Sequence, residues 1–72
     1  MNNGVIHRDP EIMGGEPVFA GTRVLVEDFF ENLAAGDSLD EFLEGFPSVR
    51  REQAVAVLAM ARKAVLQLAD PD

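Results

Sequence analysis

The chain has 72 residues, no cysteine and one histidine, and its net charge is −7. Without cysteine it cannot form a disulfide framework or a thiolate metal site, and one histidine makes an all-protein zinc site improbable. A chain of this length hides only about 60% of its unfolded surface on folding, so oligomerisation is the remaining support for its core. We therefore treat residues 1–72 as one domain, with a β arm or hairpin at 5–25 and a helical part at 26–69, and expect no cofactor.

The composition, 47% hydrophobic, is that of a folded protein and not of a disordered chain. No apolar run approaches the roughly 18 residues that a membrane span needs. The first ten residues lack the basic start and apolar block of a signal peptide. These features predict a cytoplasmic protein that does not bind membranes.

The N-terminal part carries strand and turn signals. Val5–His7 is a short strand candidate, and two β-prone runs at 17–19 and 22–25 flank Gly21, which suits a hairpin turn. Gly14-Gly15 predicts a further turn. No run is long, so we expect a small sheet that forms an arm against a second subunit.

Arg23 and the proline of this segment are interpreted separately. Pro17 prevents a helix from forming here. Arg23 is expected to pair with Asp9 or with an acid of the first helix.

Two short helices follow. The first is predicted over Val26–Ala35, with Gly36 as the residue that ends it. The second has a capping box, with Ser38 as N-cap and Glu41 as its partner, and ends before Pro47. Each helix has an apolar stripe at i, i+3, i+4 and i+7 spacing.

The third helix is predicted from Val49 to about Ala69, with Ser48 as its N-cap. Apolar residues cover most of its circumference, which indicates burial on several sides. The rest of a small domain cannot cover them all, so we infer a dimer or partner surface, most simply for a second copy. Its predicted residues are Val55, Leu58, Arg62, Val65 and Leu66.

Catalytic motifs are not recognisable. There is no phosphate-binding loop and no cysteine nucleophile. The cluster formed by His7, Asp9 and Glu11 is weak because Pro10 interrupts the strand that would align it. We expect a protein that is not an enzyme.

Charge is distributed unevenly along the chain. Residues 1–47 carry ten acids against two arginines, a net of −8, whereas residues 48–69 carry four cations against one acid, a net of +3. An acidic protein is not the usual nucleic-acid binder. A basic last helix still permits a local surface that faces DNA.

The second and third helices, with a turn over residues 45–48, have the order of a helix–turn–helix. In that motif the start of the second helix enters the major groove. The residues placed there would be Ser48, Arg50, Arg51 and Gln53. Alternatively, the two arginines pair with acids of the preceding helices and contact no DNA.

The motifs Gly14-Gly15-Glu16-Pro17 and Gly21-Thr22-Arg23, followed by Gly36 and Pro47, make the chain resemble the bacterial "domain of unknown function 433" family over about residues 5–63. The resemblance implies a mainly α, three-helix, homeodomain-like helix–turn–helix domain behind a short N-terminal β hairpin. It also implies an antitoxin-like protein that neutralises a PIN-type ribonuclease toxin and represses its own operon as a dimer. No catalytic residues come with the family. Its structural signature maps to Gly14, Gly15, Pro17, Gly21, Thr22 and Arg23.

Two hypotheses for function follow. The first is a non-enzymatic, dimeric, antitoxin-like regulator whose partners are a second copy, a PIN-type toxin and operator DNA. The alternative is a protein–protein interaction or dimerisation module that does not bind DNA.

Overall fold

The computed structural model describes residues 4–69. In chain order, the elements are β1 (Ile6–His7), a single 3₁₀ turn (Met13–Gly15), β2 (Val18–Phe19), α1 (Val26–Ala34), α2 (Leu39–Gly45) and α3 (Arg51–Leu68). The prediction of a mainly α domain with three helices behind a short N-terminal β hairpin is confirmed. Within residues 4–69, no helix is long and apolar enough to cross a membrane.

The two strands form a small antiparallel sheet. Ile6 lies opposite Phe19 in β1 and β2, and the neighbouring pair continues the register. After Phe19 the chain reverses through Gly21, which has a φ of 80°, and returns to place Leu25 in a single bridge with Val18. The predicted reversal between 17–19 and 22–25 is therefore present, with one bridge instead of a second paired strand.

The Gly14-Gly15 pair forms the predicted turn. Both residues have positive φ angles, 67° and 88°, a backbone conformation that residues other than glycine rarely adopt. The Nε atom of Arg8 donates a hydrogen bond of 2.9 Å to the carbonyl oxygen of Gly15, which ties the turn to the end of β1. The glycine signature is thus explained by backbone conformation.

Three phenylalanines form the centre of the core. Phe19, Phe29 and Phe42 come from β2, α1 and α2, and each is at most 1% exposed. Phe29 and Phe42 meet edge to face with ring centroids 4.7 Å apart, and Phe19 lies 5.7 Å from Phe29. The β segment is therefore part of the domain's own core, and the expectation of an arm that reaches a second subunit is not supported.

The boundaries of the first two helices follow their local sequence. α1 ends at Ala34, and Gly36 adopts a φ of 108° where the helix stops. Ser38 and Glu41 form the predicted capping box at α2: the amide of Glu41 donates to Ser38 Oγ at 3.0 Å, and the amide of Ser38 donates to Glu41 Oε1 at 2.7 Å.

The start of α3 differs from the prediction. The helix begins at Arg51 with Arg50 in the N-cap position, so Ser48 is not its cap and Val49 is not helical. Val49 is 4% exposed and packs in the core. Its amide closes a turn onto the carbonyl oxygen of Phe46 at 3.0 Å. Burial of Val49 therefore keeps the chain out of helical geometry for two more residues.

Candidate functional site

The arginines at the start of α3 are exposed and paired with exposed acids. The side chains of Arg50 and Arg51 are 64% and 58% exposed. Arg51 forms an ion pair with Asp40 of α2, and Arg50 Nη1 lies 3.8 Å from Glu52 Oε2. Exposed ion pairs of this kind typically stabilise a protein by about 0–1 kcal/mol. An anion that binds arginine more tightly than these carboxylates could therefore displace them.

Gln53 lies inside the domain. It is 2% exposed, its Nε2 donates to the carbonyl oxygen of Ala20 at 2.9 Å, and its Oε1 accepts from the amide of Arg50 at 3.0 Å. Because both ends of the amide are bonded to the chain, the prediction that Gln53 faces DNA is wrong in this conformation. Its role is to join the β2 turn to the start of α3.

The predicted partner surface on α3 is exposed. The outer face of α3, defined here as residues 55, 58, 62, 65 and 66, has exposed fractions of 48% at Val55, 36% at Leu58, 61% at Val65 and 53% at Leu66. The helix reaches the core through Ala54 and Val57 instead, which are at most 3% exposed.

The second half of α3 extends beyond the core. Every residue from Arg62 to Leu68 is exposed, and Leu68 is 86% exposed. Val55, Leu58, Arg62 and Val65 follow one another at intervals of three, four and three residues. This is the spacing of a coiled-coil seam. The outer face is therefore suited to packing against another helix.

The outer face also carries a positive charge, that of Arg62. Residues 53–69 contain Arg62 and Lys63 and no acid, whereas residues 1–47 carry ten acids. A protein that covers this face is therefore expected to bring acidic groups near Arg62.

A cleft of about 720 Å³ opens between the reversal after β2 and the turn that joins α2 to α3. Apolar side chains line part of it, and polar or charged side chains line the remainder. Its lining residues are His7, Ile12, Gly21, Thr22, Arg23, Val24, Asp28, Phe46 and Ser48.

The Gly21-Thr22-Arg23 signature forms one side of this cleft. Thr22 Oγ1 donates to the carbonyl oxygen of Phe19 at 2.8 Å and accepts from the amide of Val24 at 3.0 Å, so it fixes the reversal. Arg23 is exposed and forms no ion pair with any residue in 4–69, which contradicts the expected pairing. Asp9 instead accepts from the amide of Glu11 at 2.9 Å.

The weak cluster at the N-terminal end does not form a compact site. His7 Nε2 lies 4.0 Å from Asp9 Oδ2, and Glu11 is exposed. His7 Nδ1 is buried without a hydrogen-bond partner among the described residues. Within residues 4–69, no group of three or more histidine, aspartate or glutamate side chains is arranged to hold a metal ion.

Sequence reasoning missed the cleft and the structural role of Gln53. Part of the role of Gln53 could have been predicted, because a glutamine at the third position of a helix often accepts a hydrogen bond from the backbone amide of the N-cap residue. The cleft could not have been predicted, because its walls come from segments that are distant in the chain.

A two-stranded sheet packed on three helices, with α2, a five-residue turn and α3 in helix–turn–helix order, defines a small α-helical domain. Residues 6–61 match the family described as "Protein of unknown function (DUF433)", and the chain belongs to that family. It is 43% identical over 49 residues to the uncharacterized protein y4eO of Sinorhizobium fredii (strain NBRC 101917 / NGR234), a match that covers 68% of this chain and 22% of that relative. The chain thus spans about a fifth of the relative's length. No solved structure matches the chain.

Proposed function

We propose that this protein is a non-enzymatic, antitoxin-like regulator that acts by binding another protein through the outer face of α3. The observation that carries the proposal is the exposure of Val55, Leu58, Val65 and Leu66 on one side of that helix. Monomeric proteins rarely expose large contiguous apolar patches, and a patch of this kind that is rimmed by polar residues commonly marks an interaction site.

The lack of packing around the C-terminal turns of α3 supports the same proposal. Isolated helices shorter than about 12–15 residues are marginal in water, and most helical stability in proteins comes from packing one face. The turns of α3 from Arg62 to Leu68 bury no side chain within the domain. Packing against a partner would stabilise this part of the helix.

We propose two occupants for the same face. In the absence of another protein, a second copy of the chain covers it and forms a homodimer. In the cell, the family resemblance implies a toxin of the PIN-type ribonuclease class, which the regulator would neutralise. The y4eO relative, in which the matched segment is only 22% of the length, favours a domain that works together with other protein segments.

The test of this proposal is binding to the product of the adjacent reading frame, measured by isothermal titration calorimetry with the full chain. Val65→Asp places a carboxylate on the outer face and is expected to weaken a complex by at least about tenfold. Gln67→Asp adds the same charge on the opposite side of the same helix and serves as the matched control. Equal affinities for wild type, Val65→Asp and Gln67→Asp would show that the outer face does not bind the partner.

DNA binding is the second candidate function. The observation that favours it is the exposure of Arg50 and Arg51 at the start of α3. This helix follows α2 in the order of a helix–turn–helix motif. Arginine binds phosphate or guanine with two parallel hydrogen bonds. The acids that now hold these arginines, Asp40 and Glu52, would have to be displaced.

Fluorescence anisotropy with the protein's own promoter at low salt tests the DNA candidate, because phosphate contacts are strongest there. Asp40→Asn releases Arg51 from its ion pair and is expected to tighten binding, whereas Arg50→Ala with Arg51→Ala abolishes it. Affinity no greater than that for a random duplex, in wild type and in Asp40→Asn alike, would eliminate operator binding.

A further inference from the structure

The cleft beside Arg23 is not used by the function proposed above. Two members of the Gly21-Thr22-Arg23 signature have structural roles that account for them. Gly21 supplies a φ of 80° at the reversal, and the Thr22 hydroxyl bonds to the backbone on both sides of it. Arg23 has no such role, yet these two residues hold its backbone at the edge of the cleft.

Arg23 is a cation without an ion-pair partner among residues 4–69 of an acidic protein. Although the chain carries 13 acids, its guanidinium forms no ion pair with the acids of residues 4–69. The planar guanidinium presents parallel N–H donors that match a carboxylate, and arginine is the preferred residue for that recognition. Its position on the cleft wall is suited to a ligand carboxylate.

Asp28 of α1 lines the same cleft and is half-buried. Its carboxylate makes no ion pair with another described side chain, Arg23 included. A negative group at this place repels a dianion such as phosphate and attracts an ammonium group. The cleft therefore presents one positive and one negative group to the same ligand.

The apolar part of the lining limits the ligand further. Ile12, Val24 and Phe46 are half-buried at the cleft, whose volume of about 720 Å³ lies within the range of small-molecule sites. These side chains can cover an aliphatic or aromatic group. The Ser48 side chain adds a hydroxyl that can donate to an oxygen of the ligand.

From these observations we propose that the cleft binds a small zwitterion with an apolar side chain, in the manner of an apolar α-amino acid. Arg23 holds its carboxylate, Asp28 holds its ammonium group, and Ile12, Val24 and Phe46 contact its side chain. This is a ligand site in addition to the protein-binding face of α3, and it does not depend on that face being occupied.

The experiment is a titration of the full-length ¹⁵N-labelled protein, followed by amide chemical shifts, with three matched probes. Phenylalanine carries both charges, phenylalanine methyl ester lacks the carboxylate, and 3-phenylpropionate lacks the ammonium group. Phenylalanine is expected to shift the amides of residues 21–24 and of Ser48. Each of the other two probes is expected to bind at least about tenfold more weakly, since each loses one charge-assisted contact.

Two variants assign the charges. Arg23→Gln is expected to reduce phenylalanine binding by at least about tenfold, and Asp28→Asn to bring the affinity for 3-phenylpropionate close to that for phenylalanine. Lys63→Gln, on α3, is the control and leaves all affinities unchanged. Because the probe series requires no mutation, it decides the proposal even where a variant does not fold. Absence of shifts with phenylalanine, or equal binding of all three probes, would overturn it.

Discussion

Gln53 shows how one side chain joins segments that are far apart in the chain. Its amide bonds to Ala20 across 33 residues and to Arg50 at the start of its own helix. A buried polar group left without a partner destabilises a protein by about 1–3 kcal/mol. Gln53 is therefore expected to stabilise the junction between the β2 turn and α3.

Replacing Gln53 by leucine tests this role. Gln53→Leu leaves the carbonyl oxygen of Ala20 without its donor, and we expect the free energy of unfolding to fall by about 1–3 kcal/mol in urea denaturation. Gln67→Leu, the same substitution at an exposed site of α3, is expected to change it by about 0.5 kcal/mol or less. Equal stability of the two variants would mean that the buried amide contributes nothing.

At the scale of single residues, the sequence predicts those conformations that are determined by residues adjacent in the chain. The turn conformations of Gly14, Gly15 and Gly21 follow from local residue preferences. The bond between Gln53 and Ala20 could not be predicted, and neither could the absence of an ion pair between Arg23 and the acids of residues 4–69. Both depend on which distant segments meet after folding.

At the scale of elements, the two serines that precede helices have different roles. Ser38 caps α2 through reciprocal hydrogen bonds with Glu41. Ser48 precedes α3 by three residues and does not cap it. Residue type suggested a cap at both, but the backbone after Ser48 is fixed by the burial of Val49, which no local pattern reveals.

The pair Ser38→Ala and Ser48→Ala measures this difference. Ser38→Ala removes the cap and is expected to lower the free energy of unfolding by about 1 kcal/mol, a typical cost for losing an N-cap side chain. Ser48→Ala is expected to lower it by about 0.5 kcal/mol or less. Both values come from urea denaturation followed by circular dichroism. A loss at Ser48 as large as that at Ser38 would contradict the observed start of α3.

At the scale of the whole molecule, stability depends on a small aromatic core. A domain of this length is expected to have a total stability of about 4–11 kcal/mol. Phe19, Phe29 and Phe42 bring one side chain from each of three elements, so the loss of one ring affects all three.

Phe42→Ala is therefore expected to destabilise the domain by about 3–5 kcal/mol and to populate the unfolded state at room temperature. Phe30→Ala is the control, because Phe30 is 40% exposed and its ring lies beside that of Phe29, with centroids 5.5 Å apart. We expect it to cost about 1 kcal/mol. Thermal unfolding followed by circular dichroism compares the two, and similar losses would place the core elsewhere.

The outer face of α3 links the stability of the domain to its self-association. If a second copy covers Val55, Leu58, Val65 and Leu66, the dimer is more stable at higher protein concentration, by mass action. The sequence predicted this face from its excess of apolar residues. It could not predict that the face lies mostly beyond the domain core, because the packing direction of α3 is set by the burial of Ala54 and Val57.

Thermal unfolding at different protein concentrations tests this linkage. Over about a hundredfold range of concentration, we expect the Tm of wild type to rise by about 5 °C. Val65→Asp places a charge on the outer face, so its Tm is expected to be independent of concentration and its sedimentation that of a monomer. Gln67→Asp, on the opposite side of the helix, keeps the concentration dependence. A constant Tm for wild type, with monomeric sedimentation throughout, would mean that no second copy covers α3 and would leave the face to a different protein.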